Sequence, residues 1–224
     1  MINVTLAADA SGAATAGGRG MVVLVVDVID FSTSMEAAMD AGAASVYGAA
    51  PDNAGPPVRV DPYGMGRLAG EEAVRLGTGV ILLAEPRVGE EGHRRQGIAK
   101  AMKGVLSSGA RVAAVLPNLG AETVRLADMK GMVVLGATGT GGVAFDAAVC
   151  AGSPVVLTGT VARTIKKNGF TCAREAAARA VSEARQLESD IAVVAASGNS
   201  LEDLLAAEYI YKTILEMTRS KKLD

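Results

Sequence analysis

Three carboxylates follow apolar runs in this sequence, and their positions predict a site for a hard cation. Asp27 and Asp30 come after the run VVLVV at residues 22–26, and Glu85 comes after ILLA at residues 81–84. An unpaired charge beside an apolar strand is costly, so Asp27 is either a ligand of a cation or substrate or a buried, hydrogen-bonded acid. Because carboxylate oxygens suit hard cations, we predict that a metal bound here is Mg²⁺ or a similar hard cation.

Hydroxyl residues and glycines follow two of the apolar runs and are the predicted substrate-binding residues. Backbone N–H groups of a glycine-rich turn that opens a helix favour a phosphate or another oxyanion. Each hydroxyl has an alternative interpretation as an ordinary helix N-cap. The residues concerned are Ser32, Thr33, Ser34, Thr138, Gly139, Thr140 and Gly141.

Two other kinds of site receive weaker support from the residues. Residues 139–144 fit the pattern G-x-G-x-x-A of dinucleotide sites, but no acid lies between Asp146 and Glu175, where a ribose-binding acid is expected. A nucleotide-dependent oxidoreductase therefore stays as an alternative. A histidine-bound zinc site is excluded, because the chain has one histidine and two widely spaced cysteines.

Short β-branched runs alternate with helical segments along the chain. This alternation would bring the candidate site residues to one edge of a sheet. Such alternation predicts an α/β fold of three layers, with a mainly parallel sheet and helices on both faces. Ligands of such sheets bind outside the carboxyl ends of the strands. We predict strands at 2–6, 21–28, 45–47, 80–84, 111–116, 132–135, 154–157 and 191–195, and loops at 9–19 and 85–97. The predicted helices cover 32–41, a segment from 62, 98–107, 121–129, 142–151, 175–187 and 201–218.

Length and composition favour one α/β domain over residues 1–224, and two α/β halves meeting near 97–104 are the alternative. The formal net charge is −2 and aromatic residues make up 3% of the chain, so we predict neither a nucleic-acid partner nor a membrane partner. No signal peptide and no run of about 20 apolar residues is recognised, which predicts a cytoplasmic protein. A homodimer is the expected assembly on general grounds.

Four segments resemble, in the same order, motifs of the 2-phosphosulfolactate phosphatase family. They are VVDVIDFSTS at 25–34, LAEPR at 83–87, VVLGATGT at 133–140 and SLED at 200–203. The family motifs run V-x-D-V-x-R-A-[ST]-[ST]-[ST], L-x-G-E-R-G-G, V-V-L-T-T-T-N-G-T and S-L-E-D. The resemblance covers most of the chain and implies a divergent Mg²⁺-dependent phosphatase, whose relatives remove phosphate from phosphosulfolactate on the route to coenzyme M.

The resemblance also implies roles for single residues. It matches Asp27, Glu85, Glu202 and Asp203 to motif acids, and Arg87 to the motif arginine after one inserted residue. We predict Asp27, Asp30, Arg87 and Glu202 as the catalytic residues, and Asp27, Glu85 and Asp203 as the Mg²⁺ ligands. The substrate implied is a small anionic phosphorylated molecule. The chain departs from the family where Asp30 replaces an arginine and Gly139 replaces an asparagine. An alternative is therefore a non-catalytic or re-specialised relative that binds a small anion.

Overall fold

The computed structural model describes residues 2–219, which fold into parallel strands connected by helices. The strands are β1 (Val4–Ala8), β2 (Val22–Val26), β3 (Ser45–Ala49), β4 (Val80–Ala84), β5 (Val112–Pro117), β6 (Val133–Ala137), β7 (Val156–Gly159) and β8 (Ile191–Ala195). The helices are α1 (Asp9–Gly18), α2 (Phe31–Asp40), α3 (Pro62–Leu76), α4 (Glu91–Gly97), α5 (Ala99–Ser107), α6 (Gly141–Ala151), α7 (Gly169–Gln186) and α8 (Leu201–Arg219). A 3-10 helix covers Gly120–Arg125.

The strands form two four-stranded sheets, and all of their pairings are parallel. The first sheet has the order β1-β8-β2-β7 and the second has the order β3-β6-β4-β5. This arrangement confirms the predicted α/β class. The chain passes to the second sheet after β2 and returns after β6, so residues 97–104 lie within the segment that builds the second sheet.

Helices α2 and α6 join the two sheets, because each of them contacts strands of both. The ring of Phe31 in α2 packs edge-to-face on Phe145 in α6, with 5.9 Å between the ring centroids. Gly136 of β6 makes room for this contact, since a Cβ there would lie 3.0 Å from two ring carbons of Phe31. Helices α7 and α8 pack on the other face of the first sheet. Within residues 2–219, no helix combines the length and apolarity needed to cross a membrane.

Two segments that the sequence predicted as loops contain helices. Asp9–Gly18 form α1, whose small side chains gave no apolar period but allow close packing on α6. A Cβ on Gly17 would lie 2.5 Å from the carbonyl oxygen of Ala148, so the two helices approach closely at that glycine. Residues 91–97 form the short helix α4. The helix predicted at 121–129 is instead the shorter 3-10 helix.

Candidate active site

The loops that carry the predicted site residues start from aligned strand ends. In the first sheet Val26 pairs with Gly159 and Ala195, so Asp27 leaves its strand beside Thr160. In the second sheet Ala84 pairs with Ala137 and Pro117, so Glu85, Thr138 and Asn118 leave their strands side by side. Contacts between these loops, described next, bring the two sheet edges together.

Asp27 lies at the centre of a group that we call the closed cluster: Asp27, Thr138, Thr140 and Gly141. The Asp27 side chain is buried, at 2% exposed. Its Oδ2 accepts hydrogen bonds from Thr140 Oγ1 at 2.7 Å and Gly141 N at 2.8 Å, and its Oδ1 accepts from Asp30 N at 2.9 Å. Burial raises the pKa of Asp27, and the hydrogen bonds from Thr140 and Gly141 oppose that shift. The carboxylate therefore ties the loop after β2 to the N-terminus of α6.

The glycine-rich turn before α6 donates its hydrogen bonds to the chain itself. Gly141 N binds Asp27, and Gly142 N donates to Thr138 Oγ1 at 2.8 Å. Val143 N donates to Thr138 O and Ala144 N donates to Thr140 O. The oxyanion cradle predicted over 138–141 is thus occupied in part by the carboxylate of Asp27, an internal anion at a helix N-terminus.

The three hydroxyl side chains after Asp27 also bind the protein. Ser32 Oγ is fully buried; it accepts from Asp27 N and donates to Val25 O. Thr33 Oγ1 donates to Val28 O and shares a 2.8 Å hydrogen bond with Thr160 Oγ1. Ser34 Oγ is hydrogen-bonded to Asn118 Oδ1 and to Asp30 O. The structure therefore places all three where they stabilise the loop, although the sequence predicted contacts with substrate.

A second group, which we call the open cluster, consists of Asp30, Glu85, Arg87 and Asn118. The guanidinium of Arg87 forms an ion pair with Asp30, and its Nε lies 3.6 Å from Glu85 Oε1. The side chains of these three charged residues are 35–39% exposed. Asn118 Nδ2 donates to Asp30 O at 3.0 Å and to Glu85 Oε1 at 3.4 Å. The two carboxylates and the one guanidinium give the open cluster a formal charge of −1, and solvent can reach all three side chains.

The two acids at the start of α8, Glu202 and Asp203, lie next to the loop after β2. Asp203 is buried, and its Oδ1 accepts from Val28 N at 2.8 Å. Burial raises the pKa of Asp203 to about 6, and the charge of Asp27 adds to the shift while the Val28 hydrogen bond opposes it. Glu202 is exposed on the same turn. Asp203 therefore holds the loop that carries Asp27, rather than facing solvent.

The predicted Mg²⁺ ligands Asp27, Glu85 and Asp203 are not gathered into one metal-binding group. Across residues 2–219, no set of three or more aspartate, glutamate, histidine or cysteine side chains is arranged to hold a metal ion. Mg²⁺, however, is commonly bound by one or two carboxylates together with water and substrate phosphates. Asp30 and Glu85 have exposed carboxylate oxygens and could serve as those one or two carboxylates. The open cluster is therefore the part of the site whose residues fit Mg²⁺.

Asn118 is the one member of the open cluster that is not among the predicted site residues. Its position directly after β5 is the same signal that identified Glu85 after β4. The side chain contacts Glu85, Asp30 and Ser34, and it therefore connects the loops of both sheets.

No protein-family model and no curated protein matches this chain. The resemblance to 2-phosphosulfolactate phosphatases rests on the four sequence motifs and stays a prediction.

Proposed function

We propose that the protein is a Mg²⁺-dependent phosphatase that hydrolyses a small phosphomonoester at the open cluster. The observation that carries this proposal is the exposed guanidinium of Arg87 beside the carboxylates of Asp30 and Glu85. Such a set offers oxygen ligands for a cation and a planar donor for phosphoryl oxygens. The four sequence motifs support the same reaction, and 2-phosphosulfolactate is the substrate that they imply.

The charge of the open cluster favours a metal-dependent reaction. Its formal charge of −1, with Asp27 and Asp203 behind it, repels a free phosphate ester and attracts a cation. Asp30 and Glu85 would hold Mg²⁺, which when bound supplies positive charge and polarises phosphoryl oxygens. Arg87, no longer paired with both carboxylates, would donate two parallel hydrogen bonds to the phosphoryl group.

The reaction is the transfer of the phosphoryl group to water. The oxygen of water forms a bond to phosphorus, the ester P–O bond breaks, and the products are an alcohol and inorganic phosphate. Arg87 stabilises charge on the phosphoryl oxygens during this change. Asn118 fixes the Glu85 carboxylate through its side-chain amide, and Asp27 and Asp203 hold the loop that carries Asp30.

A second candidate function is binding without hydrolysis by a re-specialised relative. Pairing of Arg87 with two carboxylates favours it, because a guanidinium already neutralised stabilises the charge on a phosphoryl group less well during transfer. In that case Mg²⁺ and phosphate would bind, and a calorimetric titration would detect them, while no ester would be cleaved.

Phosphate release from 2-phosphosulfolactate and a panel of small phosphomonoesters, with Mg²⁺ or with EDTA, tests the proposal. We expect Mg²⁺-dependent release that Glu85→Gln lowers at least about 100-fold, as removal of transition-state charge stabilisation commonly does. Glu91→Gln, which removes an exposed carboxylate paired with Arg95, is the matched control. Absence of release above the Glu85→Gln background from every ester would refute the phosphatase.

A further inference from the structure

An apolar cavity of about 560 Å³ lies beside the open cluster, between the loop after β2, the start of α7 and the first turns of α8. Its polar lining is small, and its wall is formed mainly by aliphatic and aromatic side chains. The residues that matter here are Val28, Val161, Phe170, Glu202, Leu205 and Tyr209.

Large apolar side chains are unusually exposed around this cavity. Phe170 is 70% exposed and Leu205 is 55% exposed. The rings of Phe170 and Tyr209 lie 6.0 Å apart between centroids and are tilted by 60°. Exposed apolar residues that gather around a concave surface indicate a binding site, whereas single ones do not. Two aromatic rings in the wall suit a flat, apolar ligand group.

The cavity and the open cluster are adjacent along the loop after β2. Val28 lines the cavity, and Asp30 follows it by two residues, so their Cα atoms are at most roughly 7.6 Å apart. Arg87 Nη2 lies 3.4 Å from the carbonyl oxygen of the intervening Ile29. Asp203 fixes this segment through Val28 N, so the wall between the two sites is held in place.

We propose that this cavity binds the alcohol part of the substrate, and that the preferred phosphomonoesters carry an aromatic or branched aliphatic group. This inference rests on the proposed phosphatase function for the part of the ligand at Arg87. The apolar wall excludes water from such a group, and the carboxylate of Glu202 at the cavity disfavours organic parts that are themselves anionic. The cavity thus selects against sulfonated or carboxylated esters, including the 2-phosphosulfolactate that the four sequence motifs imply, and assigns the same reaction to a different substrate.

Steady-state kinetics with 2-naphthyl phosphate and 2-phosphoglycolate, both with Mg²⁺, tests the preference. We expect kcat/KM to favour 2-naphthyl phosphate, and Leu205→Asn to lower that preference about tenfold, the scale on which apolar pockets discriminate. Leu106→Asn, on α5 and similarly exposed at 56%, is the control and should leave the preference unchanged. Phe170→Ser is a second cavity variant in case Leu205→Asn does not fold.

Binding of 2-naphthol, followed by its fluorescence, separates this inference from the phosphatase proposal. Saturable binding that Leu205→Asn weakens at least about fivefold supports the cavity even where no ester is hydrolysed, and the phosphatase alone then fails. Hydrolysis of both esters without preference, together with naphthol binding that neither cavity variant changes, overturns the cavity inference while the phosphatase stands.

Discussion

The closed and open clusters contain the same kind of acid at the same kind of position, yet they differ in what surrounds it. Asp27 follows β2 and Glu85 follows β4, each at the carboxyl end of a buried strand. Asp27 is 2% exposed and accepts hydrogen bonds from two backbone amides and a hydroxyl, whereas the Glu85 side chain is 38% exposed beside Arg87. An acid at the end of a strand can therefore either stabilise the fold or remain available to a ligand. The hydrogen-bond donors around its carboxylate determine which of the two it does.

The largest expected effect is on stability, from Asp27→Ala in the closed cluster. Removing the carboxylate leaves Gly141 N and Asp30 N without their acceptor, and a buried unsatisfied donor costs about 1–3 kcal/mol. We expect the free energy of unfolding in urea, with EDTA present, to fall by roughly 3–4 kcal/mol. Glu85→Ala in the open cluster should lower it by less than about 1 kcal/mol. Equal losses would contradict the division between the clusters.

A methyl group added inside the closed cluster should be the next most damaging change. A Cβ on Gly141 would lie 2.5 Å from Phe31 Cβ and 2.7 Å from Asp27 Oδ2, and both neighbours are fixed. Gly141→Ala should therefore reduce the free energy of unfolding by about 2–3 kcal/mol, as overpacking does. Gly139→Ala meets no atom within 4 Å and is the control, with an expected change within about 0.5 kcal/mol. Similar unfolding midpoints for the two variants would show that the turn is not tightly packed.

Glu36 is another buried acid, and it lies outside the open cluster. Burial raises its pKa to about 7 from 4.5, and the charge of Arg179 opposes the shift. The folded protein therefore holds this proton to higher pH than the unfolded chain does, so the stability linked to Glu36 is lost as pH rises from about 4.5 to 7.

The expected loss over that interval is on the order of 3 kcal/mol, at about 1.4 kcal/mol per pKa unit. Urea unfolding at several pH values should show that Glu36→Gln flattens the decline. Glu208→Gln removes an exposed carboxylate paired with Lys212 and is the control. A decline that Glu36→Gln leaves as steep as in the wild type would locate the pH dependence elsewhere.

The smallest expected change in stability comes from Arg87→Ala in the open cluster. Ion pairs that solvent reaches contribute about 0–1 kcal/mol, so the free energy of unfolding should change by no more than that. Phosphate release should nevertheless fall about 100-fold, because Arg87 is the proposed donor to the phosphoryl oxygens. Arg125→Ala breaks a more exposed ion pair, with Glu122, and should keep full activity. Unchanged phosphate release by Arg87→Ala would show that Arg87 does not act on the phosphoryl group.

Local sequence pattern predicted the class of fold and the edge that carries the polar residues. The run Val22–Val26 is apolar at every position and is buried at every position, which is the signature of a strand covered on both faces. The pattern of β-branched runs also placed Glu85 directly after a strand and Thr138 in the segment that follows another, although β6 extends two residues further than predicted. It could not show that the strands divide into two sheets. A chain that builds one parallel sheet and a chain that builds two have the same alternation of strands and helices.

Contacts between distant loops were outside the reach of sequence pattern. Thr140 is 113 positions from the carboxylate that it binds, so nothing near Asp27 indicated that its charge is satisfied by the α6 turn. Asp203 is likewise 175 positions from Val28. Helix α1 was missed for a different reason: its alanines and glycines lack a polar and apolar period, and its packing on α6 and on the first sheet buries them.

Calorimetric titration of Mg²⁺ into the wild type and into an Asp30→Asn, Glu85→Gln double variant shows whether the open cluster holds the ion. We predict that the wild type binds Mg²⁺ and that the double variant loses this binding while its unfolding midpoint in EDTA stays close to that of the wild type. Binding of equal affinity to both proteins would contradict the assignment of the ion to Asp30 and Glu85.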